Sequence, residues 1–235
     1  MHKSLYLLLV VIISLSACKN EASRYNNNAL TNIETENYNQ AIKELNTAIK
    51  KDINYAPAYY NKAIAYANLK KYKTAIKYFN ITINQHVDFY EGYLNRAIVY
   101  ENMGNYKSAT KDYSQAINIK PDNKKAYLFR GITRFKSKDI IGSIEDFNKA
   151  IDNGLKSTGV YFNKAIAYQR LNQDAKAIKD YSIAIGINPA FAKAYYNRAI
   201  SLLRTGARES AIKDLRLAKN YGYTEFSKEL NDLLH

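Results

Sequence analysis

Residues 58–66 read Ala-Tyr-Tyr-Asn-Lys-Ala-Ile-Ala-Tyr, and close copies of this stretch occupy residues 92–100, 160–168 and 194–202. The copies are separated by multiples of 34 residues. A fixed period of about 20 to 50 residues is typical of proteins built from stacked structural repeats. The sequence therefore predicts that most of the chain after residue 21 consists of copies of one unit.

Each unit has the apolar spacing of two amphipathic helices. In the second unit, apolar or small residues recur three and four positions apart from Tyr59 to Ala67, and again from Ala75 to Ile83 after a break at residues 70–71. This spacing is that of an α-helix with one buried face. The chain is thus predicted to be all-α, with six contiguous helix-turn-helix units at 22–55, 56–89, 90–123, 124–157, 158–191 and 192–225.

The composition agrees with a folded helical array. Apolar residues make up 47% of the 235 residues, which disfavours disorder, and the chain has only 9 glycines and 3 prolines. The formal net charge is +14, which bears on solubility and on partners rather than on the fold. One cysteine excludes an intramolecular disulfide.

The repeated residues resemble those of the tetratricopeptide repeat. A tyrosine in the first helix is followed four positions later by a small residue, as at Tyr127 and Gly131. In the second helix a small residue, a large apolar residue and an alanine recur, as at Ser143, Phe147 and Ala150. The resemblance implies a right-handed α-solenoid in which neighbouring units supply each other's core. Residues 226–235 are expected to form a C-terminal capping helix.

The first-helix tyrosines are expected to fill the space between the helices. One occurs in every unit, at Tyr25, Tyr59, Tyr93, Tyr127, Tyr161 and Tyr195. On this interpretation Tyr93→Ala would cost about 3 kcal/mol of stability, as for other buried aromatic residues.

The N-terminus has the pattern of a lipoprotein signal. A short basic start and an apolar run from Leu5 to Leu15 precede Leu15-Ser16-Ala17-Cys18, which resembles the bacterial lipobox. The resemblance implies that residues 1–17 are a cleaved signal peptide, that Cys18 is acylated and that 18–21 form a short tether. The expected location is the bacterial cell envelope, and the outer membrane in organisms with two membranes. The alternative is an ordinary secretory signal.

The sequence offers no constellation of catalytic side chains. His86 stands alone near a unit boundary, and Cys18 is assigned to lipid, so a Cys–His pair or a zinc site is not expected. Acidic residues of the second helices, such as Asp180 and Asp214, are expected on solvated faces. We therefore predict a non-enzymatic protein with no cofactor, no metal site and no small-molecule substrate.

One surface position of the first helices carries a ladder of asparagines. Its members are Asn27, Asn61, Asn95, Asn163 and Asn197, with Phe129 interrupting the series, and the last four are predicted to line a groove. An amide both donates and accepts hydrogen bonds, so a ladder of amides could hold the backbone of an extended peptide. It is similar to the asparagine ladder in the repeats of the O-linked N-acetylglucosamine transferase. The alternative is that these amides serve solvation or contacts between helices.

Positive charge is concentrated in the first helices of the last three units. Taken as 124–137, 158–171 and 192–205, they contain no Asp or Glu and ten Lys or Arg, namely Lys124, Lys125, Arg130, Arg134, Lys136, Lys164, Arg170, Lys193, Arg198 and Arg204. Lys125, Lys136, Arg170, Lys193 and Arg204 complete the predicted groove. An acidic peptide is the natural partner of such a face. The alternative is a scatter of lysines and arginines without a common role.

These observations favour a membrane-anchored scaffold that binds another envelope protein through an acidic peptide segment. In organisation it resembles repeat-containing lipoproteins that act as pilotins or as adaptors of peptidoglycan hydrolases. The second hypothesis is binding of an anionic envelope polymer, either a cell-wall glycan or lipopolysaccharide. Nucleic acid is not an expected partner, because the signal implies export. The carboxylate clamp by which some members of the family hold chaperone tails is absent: Tyr60 and Ile64 occupy positions where it needs lysine and asparagine.

Overall fold

A computed structural model describes residues 20–233 of the chain, and every regular element in that range is an α-helix. The predicted signal peptide and Cys18 lie outside the described residues. The prediction of an all-α stack of helix-turn-helix repeats with a C-terminal capping helix is confirmed.

Thirteen helices follow one another between residues 20 and 233. The first, α1, covers 20–34. It is followed by α2 (Tyr38–Lys51), α3 (Ala56–Asn68), α4 (Tyr72–Gln85), α5 (Tyr90–Asn102), α6 (Tyr106–Ile119), α7 (Lys124–Lys136), α8 (Ile140–Asp152), α9 (Thr158–Arg170), α10 (Asp174–Ile187), α11 (Ala192–Arg204), α12 (Arg208–Asn220) and α13 (Lys228–Asp232). Odd-numbered helices up to α11 are the first helices of their repeats.

The helices fall into two compact units, divided between Ile119 and Lys120. In the first unit α3 packs on α4, α5 packs on α6, and α3 also contacts α5. In the second unit α7 packs on α8, α9 on α10 and α11 on α12, while α9 contacts both α7 and α11. Within each unit the first helices are therefore neighbours.

The turn inside every repeat uses the left-handed backbone region at one fixed position. Glycine supplies it only at Gly104 and Gly206. The other four turns place a non-glycine residue there, at Glu36, Lys70, Lys138 and Asn172, with φ between 55° and 70°. In each case the following N–H closes the helix by bonding a carbonyl five residues back, as Lys71 does with Tyr66.

The core is built around the large side chain of the second helix. This position is fully buried in all six repeats, at Leu45, Phe79, Tyr113, Phe147, Tyr181 and Leu215. The alanines that flank it are also buried and let the helices approach closely. The first-helix tyrosines differ from the sequence expectation, because all except Tyr195 are only half-buried.

The last repeat is covered by α13 and the segment before it. Phe226, Leu230 and Leu233 pack against a cluster that contains Ala199, Ala211 and Leu215. Phe226 also meets Tyr223 and Tyr196 edge to face, with ring centroids 5.2 and 5.7 Å apart. These contacts cover the apolar face of the last repeat, which would otherwise be exposed to water.

Candidate functional site

The asparagine ladder occupies one position of the first helices, but its members have different surroundings. In the first unit Asn61 is buried, and its Nδ2 donates to Oδ1 of Asn26 at 2.8 Å. Asn26 lies on the preceding first helix, 35 residues back. The Asn61 amide thus links α1 to α3.

Asn95 makes the same kind of contact one repeat later. Its Nδ2 donates to the hydroxyl of Tyr60, again 35 residues back, at 2.6 Å, and to the carbonyl of Glu91 at 3.1 Å. Burial, reinforced by the charge of Glu91, raises the pKa of Tyr60 to about 12, so this hydroxyl stays neutral at physiological pH. The Asn95 amide therefore links α3 to α5.

The ladder residues of the second unit lack that partner. The residues 35 positions before Asn163 and Asn197 are Leu128 and Phe162, which have no acceptor in their side chains. Asn163 is half-buried, and its amide makes no hydrogen bond within the part of the chain that the structure describes. Asn197 donates only to the carbonyl of Lys193 on its own helix, at 2.8 Å. These two amides remain open to a ligand.

The aromatic residues beside the ladder close the junctions between repeats. The ring of Tyr60 lies 5.0 Å from that of Phe89, and the ring of Phe162 lies 4.8 Å from that of Phe191. Edge-to-face contacts of this kind add to the energy of apolar burial. Phe162 and Tyr60 therefore pack mainly between repeats rather than forming an open apolar floor.

Ion pairs of 3.3 Å or less join several cations in the first helices of the second unit to carboxylates. Arg130 bonds both oxygens of Asp146 at 2.6 and 2.9 Å, and Arg198 bonds both oxygens of Asp214 at 2.7 and 2.8 Å. Lys164 lies 3.3 Å from Asp180. Arg134 lies 3.1 Å from Asp146.

The acidic partners of these cations come from the second helices, as the sequence indicates, but their burial differs from the expectation. Asp146, Asp180 and Asp214 are buried rather than placed on solvated faces. Each follows its main cation by 16 residues, and the first unit repeats the arrangement with Arg96 and Asp112. This spacing recurs every 34 residues and is the signal in the sequence that could have revealed the pairs.

The paired cations also reach the preceding repeat. Arg96 donates to Oδ1 of Asn80 at 2.6 Å, and Arg198 donates to Oγ of Ser182 at 2.8 Å. Lys164 donates to Oδ1 of Asn148 at 3.2 Å. Burial acts to lower the pKa of Arg96, but the hydrogen bonds to Asp112 and the charge of Asp112 together outweigh it and raise this pKa, so the cation keeps its charge. One side chain thus joins three helices.

Six cations of these helices have exposed side chains. They are Lys124, Lys125, Lys136, Arg170, Lys193 and Arg204. Arg204 lies 3.7 Å from Asp174, at the rim of an open cavity of about 430 Å³ between the turns of the last two repeats. Oδ1 of Asp174 is buried there without a hydrogen bond. The predicted groove residues Lys125, Lys136, Arg170, Lys193 and Arg204 are all in this exposed set.

Among residues 20–233, no cluster of three His, Cys, Asp or Glu side chains is arranged to hold a metal ion. Within the same residues, every helix is too short or too polar to cross a membrane. The first unit has a small apolar cavity of about 170 Å³, lined by Ala56, Pro57, Tyr60, Thr82, His86 and Phe89.

Comparison with known proteins matches this geometry to one family. Sequence profiles of the tetratricopeptide repeat match residues 44–77, 90–123 and 162–223, which together make up more than half of the chain. A comparison with curated proteins gives no sequence match.

Solved structures show the same fold at low identity. Pseudomonas aeruginosa pilF is 16% identical with a TM-score of 0.74, covering 93% of this chain and 98% of its own. YrrB, described as a tetratricopeptide repeat protein with an unusual peptide-binding site, is 17% identical with a TM-score of 0.68, covering 76% and 92%. MamA from Desulfovibrio magneticus is 16% identical with a TM-score of 0.68, covering 73% and 97%. The chain is therefore a tetratricopeptide repeat protein.

Proposed function

We propose that this protein is a lipid-anchored scaffold of the bacterial cell envelope that binds an acidic, extended peptide on the first helices of its second unit. The observation that carries the proposal is a set of six exposed cations on first helices that contain no acidic residue. These cations lie on α7, α9 and α11, and one of them, Arg204, also lies 3.7 Å from Asp174.

The exposed cations share a helix face with the asparagine ladder. On α11, Lys193, Asn197 and Arg204 are four and seven residues apart in succession, which places them within about 40° of one another around the helix. The paired Arg198 points well away from that face, toward the second helices. Because α7, α9 and α11 are neighbours, their ladder faces can form one surface with amides between rows of charge.

The chemistry of this surface suits a peptide with carboxylates. Exposed Lys and Arg attract acidic side chains and speed their encounter. The Asn163 amide has both donors and its acceptor available for a peptide backbone. The peptide-binding site named for YrrB, which has the same fold, supports a peptide as the ligand.

Charge reversal on the ladder face tests the proposal. Lys136, Arg170 and Arg204 are changed to Glu in the full-length protein, and partners are crosslinked in native membranes, purified and identified. We expect the partner to be lost. The matched control changes Lys149, Lys179 and Lys213 to Glu, which gives the same change in charge on exposed positions of the second helices in the same unit. Equal recovery of the same partners by both variants would rule out this face.

A second variant tests the amides separately from the charge. Phe162→Tyr places a hydroxyl 35 residues before Asn197, where Tyr60 stands relative to Asn95. We expect this hydroxyl to engage the Asn197 amide and to weaken peptide binding without a change in net charge. The alternative function, binding of an anionic polymer, predicts that Phe162→Tyr has no effect. It also predicts that affinity falls steeply with salt.

The anchor is supported by the lipobox-like Leu15-Ser16-Ala17-Cys18. Several acyl chains on one residue would hold the protein stably at a membrane. Cys18→Ser is expected to release the protein from sedimented membranes. A variant that stays in the membrane pellet would contradict acylation at Cys18.

A further inference from the structure

Two turns of the first unit expose an apolar side chain at the same repeat position. Ile53 lies between α2 and α3, Val87 lies between α4 and α5, and each is 70% exposed. Single exposed apolar side chains are common on protein surfaces, so the informative feature is that these two recur at one repeat position of the same unit. The second unit has Pro121, Leu155 and Pro189 at this position, and Leu155 is packed against the core of its unit.

Both turns lie on the edge of the unit where α1 begins. Glu21, at the start of α1, forms a 2.8 Å ion pair with Lys51, the last residue of α2 and two positions before Ile53. Pro57 at the start of α3 and His86 beside Val87 line one apolar cavity. These contacts place the start of α1 and both exposed side chains along one edge.

Cys18 is held close to this edge by the length of the chain. Two peptide units separate Cys18 from Asn20, the first described residue of α1, so their Cα atoms are within about 8 Å. A membrane that holds acyl chains on Cys18 would therefore lie next to the edge that carries Ile53 and Val87.

We propose that this edge of the first unit rests on the lipid surface, with the side chains of Ile53 and Val87 entering the boundary between headgroups and acyl chains. The inference depends on the acylation of Cys18 proposed above. It adds an orientation: α1, α3 and α5 begin at the membrane and run away from it, because their N-terminal ends share that edge.

The contact is apolar rather than driven by charge. Asp52 and Asp88 lie on the same two turns, and Asp52 accepts a hydrogen bond from the N–H of Asn54 at 3.0 Å. Lys51 is already paired with Glu21, and Asp52 and Asp88 offset the charge of Lys50 at the end of α2. The interaction should therefore occur on zwitterionic phosphatidylcholine vesicles and persist in high salt.

Site-specific labelling tests this orientation. Acylation uses the only thiol of the chain, so one cysteine introduced into the acylated full-length protein can be labelled with an environment-sensitive fluorophore. The labelled positions are 53, 87, 103 and 30, all in the first unit. Met103 is 42% exposed at the opposite end of α5, roughly 20 Å along that helix, and Leu30 is 39% exposed on α1, roughly 15 Å from its start.

We expect blue-shifted emission and quenching by lipid-borne quenchers at positions 53 and 87 only. A membrane-bound protein whose four labels all report water would overturn this inference alone. A protein that does not sediment with vesicles would overturn the anchor as well. A blue shift that is also present in Cys18→Ser protein without vesicles would show that another protein surface covers the turns, and would likewise overturn the inference.

Partition of the protein into vesicles measures how much Ile53 and Val87 contribute to membrane binding. The mature protein, coupled at Cys18 to one myristoyl-length chain, should bind phosphatidylcholine vesicles reversibly, because a single chain gives only marginal binding. Ile53→Ser with Val87→Ser should weaken partition by roughly tenfold or more. Met103→Ser with Leu30→Ser, both in the first unit, is the matched control and should leave partition unchanged. Equal partition of both double variants would contradict the proposed contact.

Discussion

At the residue scale, the stability of each repeat depends most on one side chain of its second helix. Phe147 is 1% exposed and contacts its own first helix, whereas the first-helix Tyr127 is half-buried, with the guanidinium of Arg130 5.6 Å from its ring centroid. The tyrosine recurs more strictly in the sequence, but recurrence does not measure burial. The smaller share of its area removed from water limits what it contributes.

This difference predicts unequal effects for two substitutions in one repeat. Phe147→Ala should lower the free energy of unfolding by about 3–5 kcal/mol, since it opens a cavity in the core. Tyr127→Ala should cost less than half of that, because its ring already contacts water. Urea denaturation of the two variants measures both values, and equal losses would show that Tyr127 also belongs to the core.

The asparagine ladder predicts a similar contrast. Asn61→Ala leaves the buried Oδ1 of Asn26 without its donor and should cost about 1–3 kcal/mol. Asn163→Ala removes no hydrogen bond seen in the described residues and should change stability by only about 0.5 kcal/mol. Thermal unfolding separates the two roles. A large loss for Asn163→Ala would assign it a structural role and count against the proposed surface.

At the element scale, the distance between paired helices decides which small residue is tolerated. A Cβ at Gly131 on α7 would lie 2.8 Å from the ring of Phe147 on α8. In the other repeats alanine occupies this position. Gly131 therefore reflects the close approach of these two helices and not a special backbone angle.

Gly131→Ala is accordingly expected to destabilise the protein, although alanine is favoured over glycine inside a helix by about 1 kcal/mol. Gly159→Ala on α9 is the control, since its added Cβ would meet nothing within 4 Å. This control should be neutral or stabilising. Circular dichroism melts of both variants give the comparison, and stabilisation by Gly131→Ala would contradict the tight contact.

The ion pair between Lys164 on α9 and Asp180 on α10, at 3.3 Å, is the longest of the pairs spaced by 16 residues. Burial raises the pKa of Asp180, and the charge of Lys164 only partly opposes this effect. A raised carboxyl pKa means that the folded state loses stability as pH rises from the ordinary Asp range through the folded-state value. The ionised Asp180 thus opposes folding at neutral pH.

Lys164→Arg should relieve this cost by forming the two-bond contact seen between Arg198 and Asp214. We expect a gain of about 1 kcal/mol at neutral pH. The gain should shrink as pH falls into the range where Asp180 is protonated in both proteins. Unfolding curves recorded from acidic to neutral pH check this; a gain that does not vary with pH would mean that Asp180 is not its source.

At the scale of the whole molecule, the stability of each repeat should depend on its contacts with the neighbouring repeats. Leu230 lies in α13, whose residues cover the cluster around Leu215. Leu230→Ser should therefore increase amide exchange most in α11 and α12, less in α9 and α10, and least in α7 and α8. Hydrogen exchange measured by mass spectrometry tests this gradient. A uniform increase across the second unit would indicate a single cooperative core instead.

The fold could be predicted from the sequence because one period of 34 residues sets both helices and both turns of every repeat. The candidate site was harder to predict from the sequence. Whether a ladder amide is open depends on a residue 35 positions earlier, such as Asn26 before Asn61, and that relation becomes visible only once helices are neighbours. The pairing of Arg130 with Asp146 likewise removes a cation that the charge pattern alone assigned to the exposed face.

The cations that each join three helices also bear on how the number of repeats can change. Arg198 meets its carboxylate, Asp214, inside its own repeat, and it crosses the repeat boundary only to the neutral hydroxyl of Ser182. Arg96 follows the same rule with Asp112 and the neutral Asn80. Gain or loss of a block that carries such a pair, as 90–123 and 192–225 do, would therefore add or remove a balanced pair of charges. A duplication or deletion of this kind would not leave the carboxylates of this series without their cations.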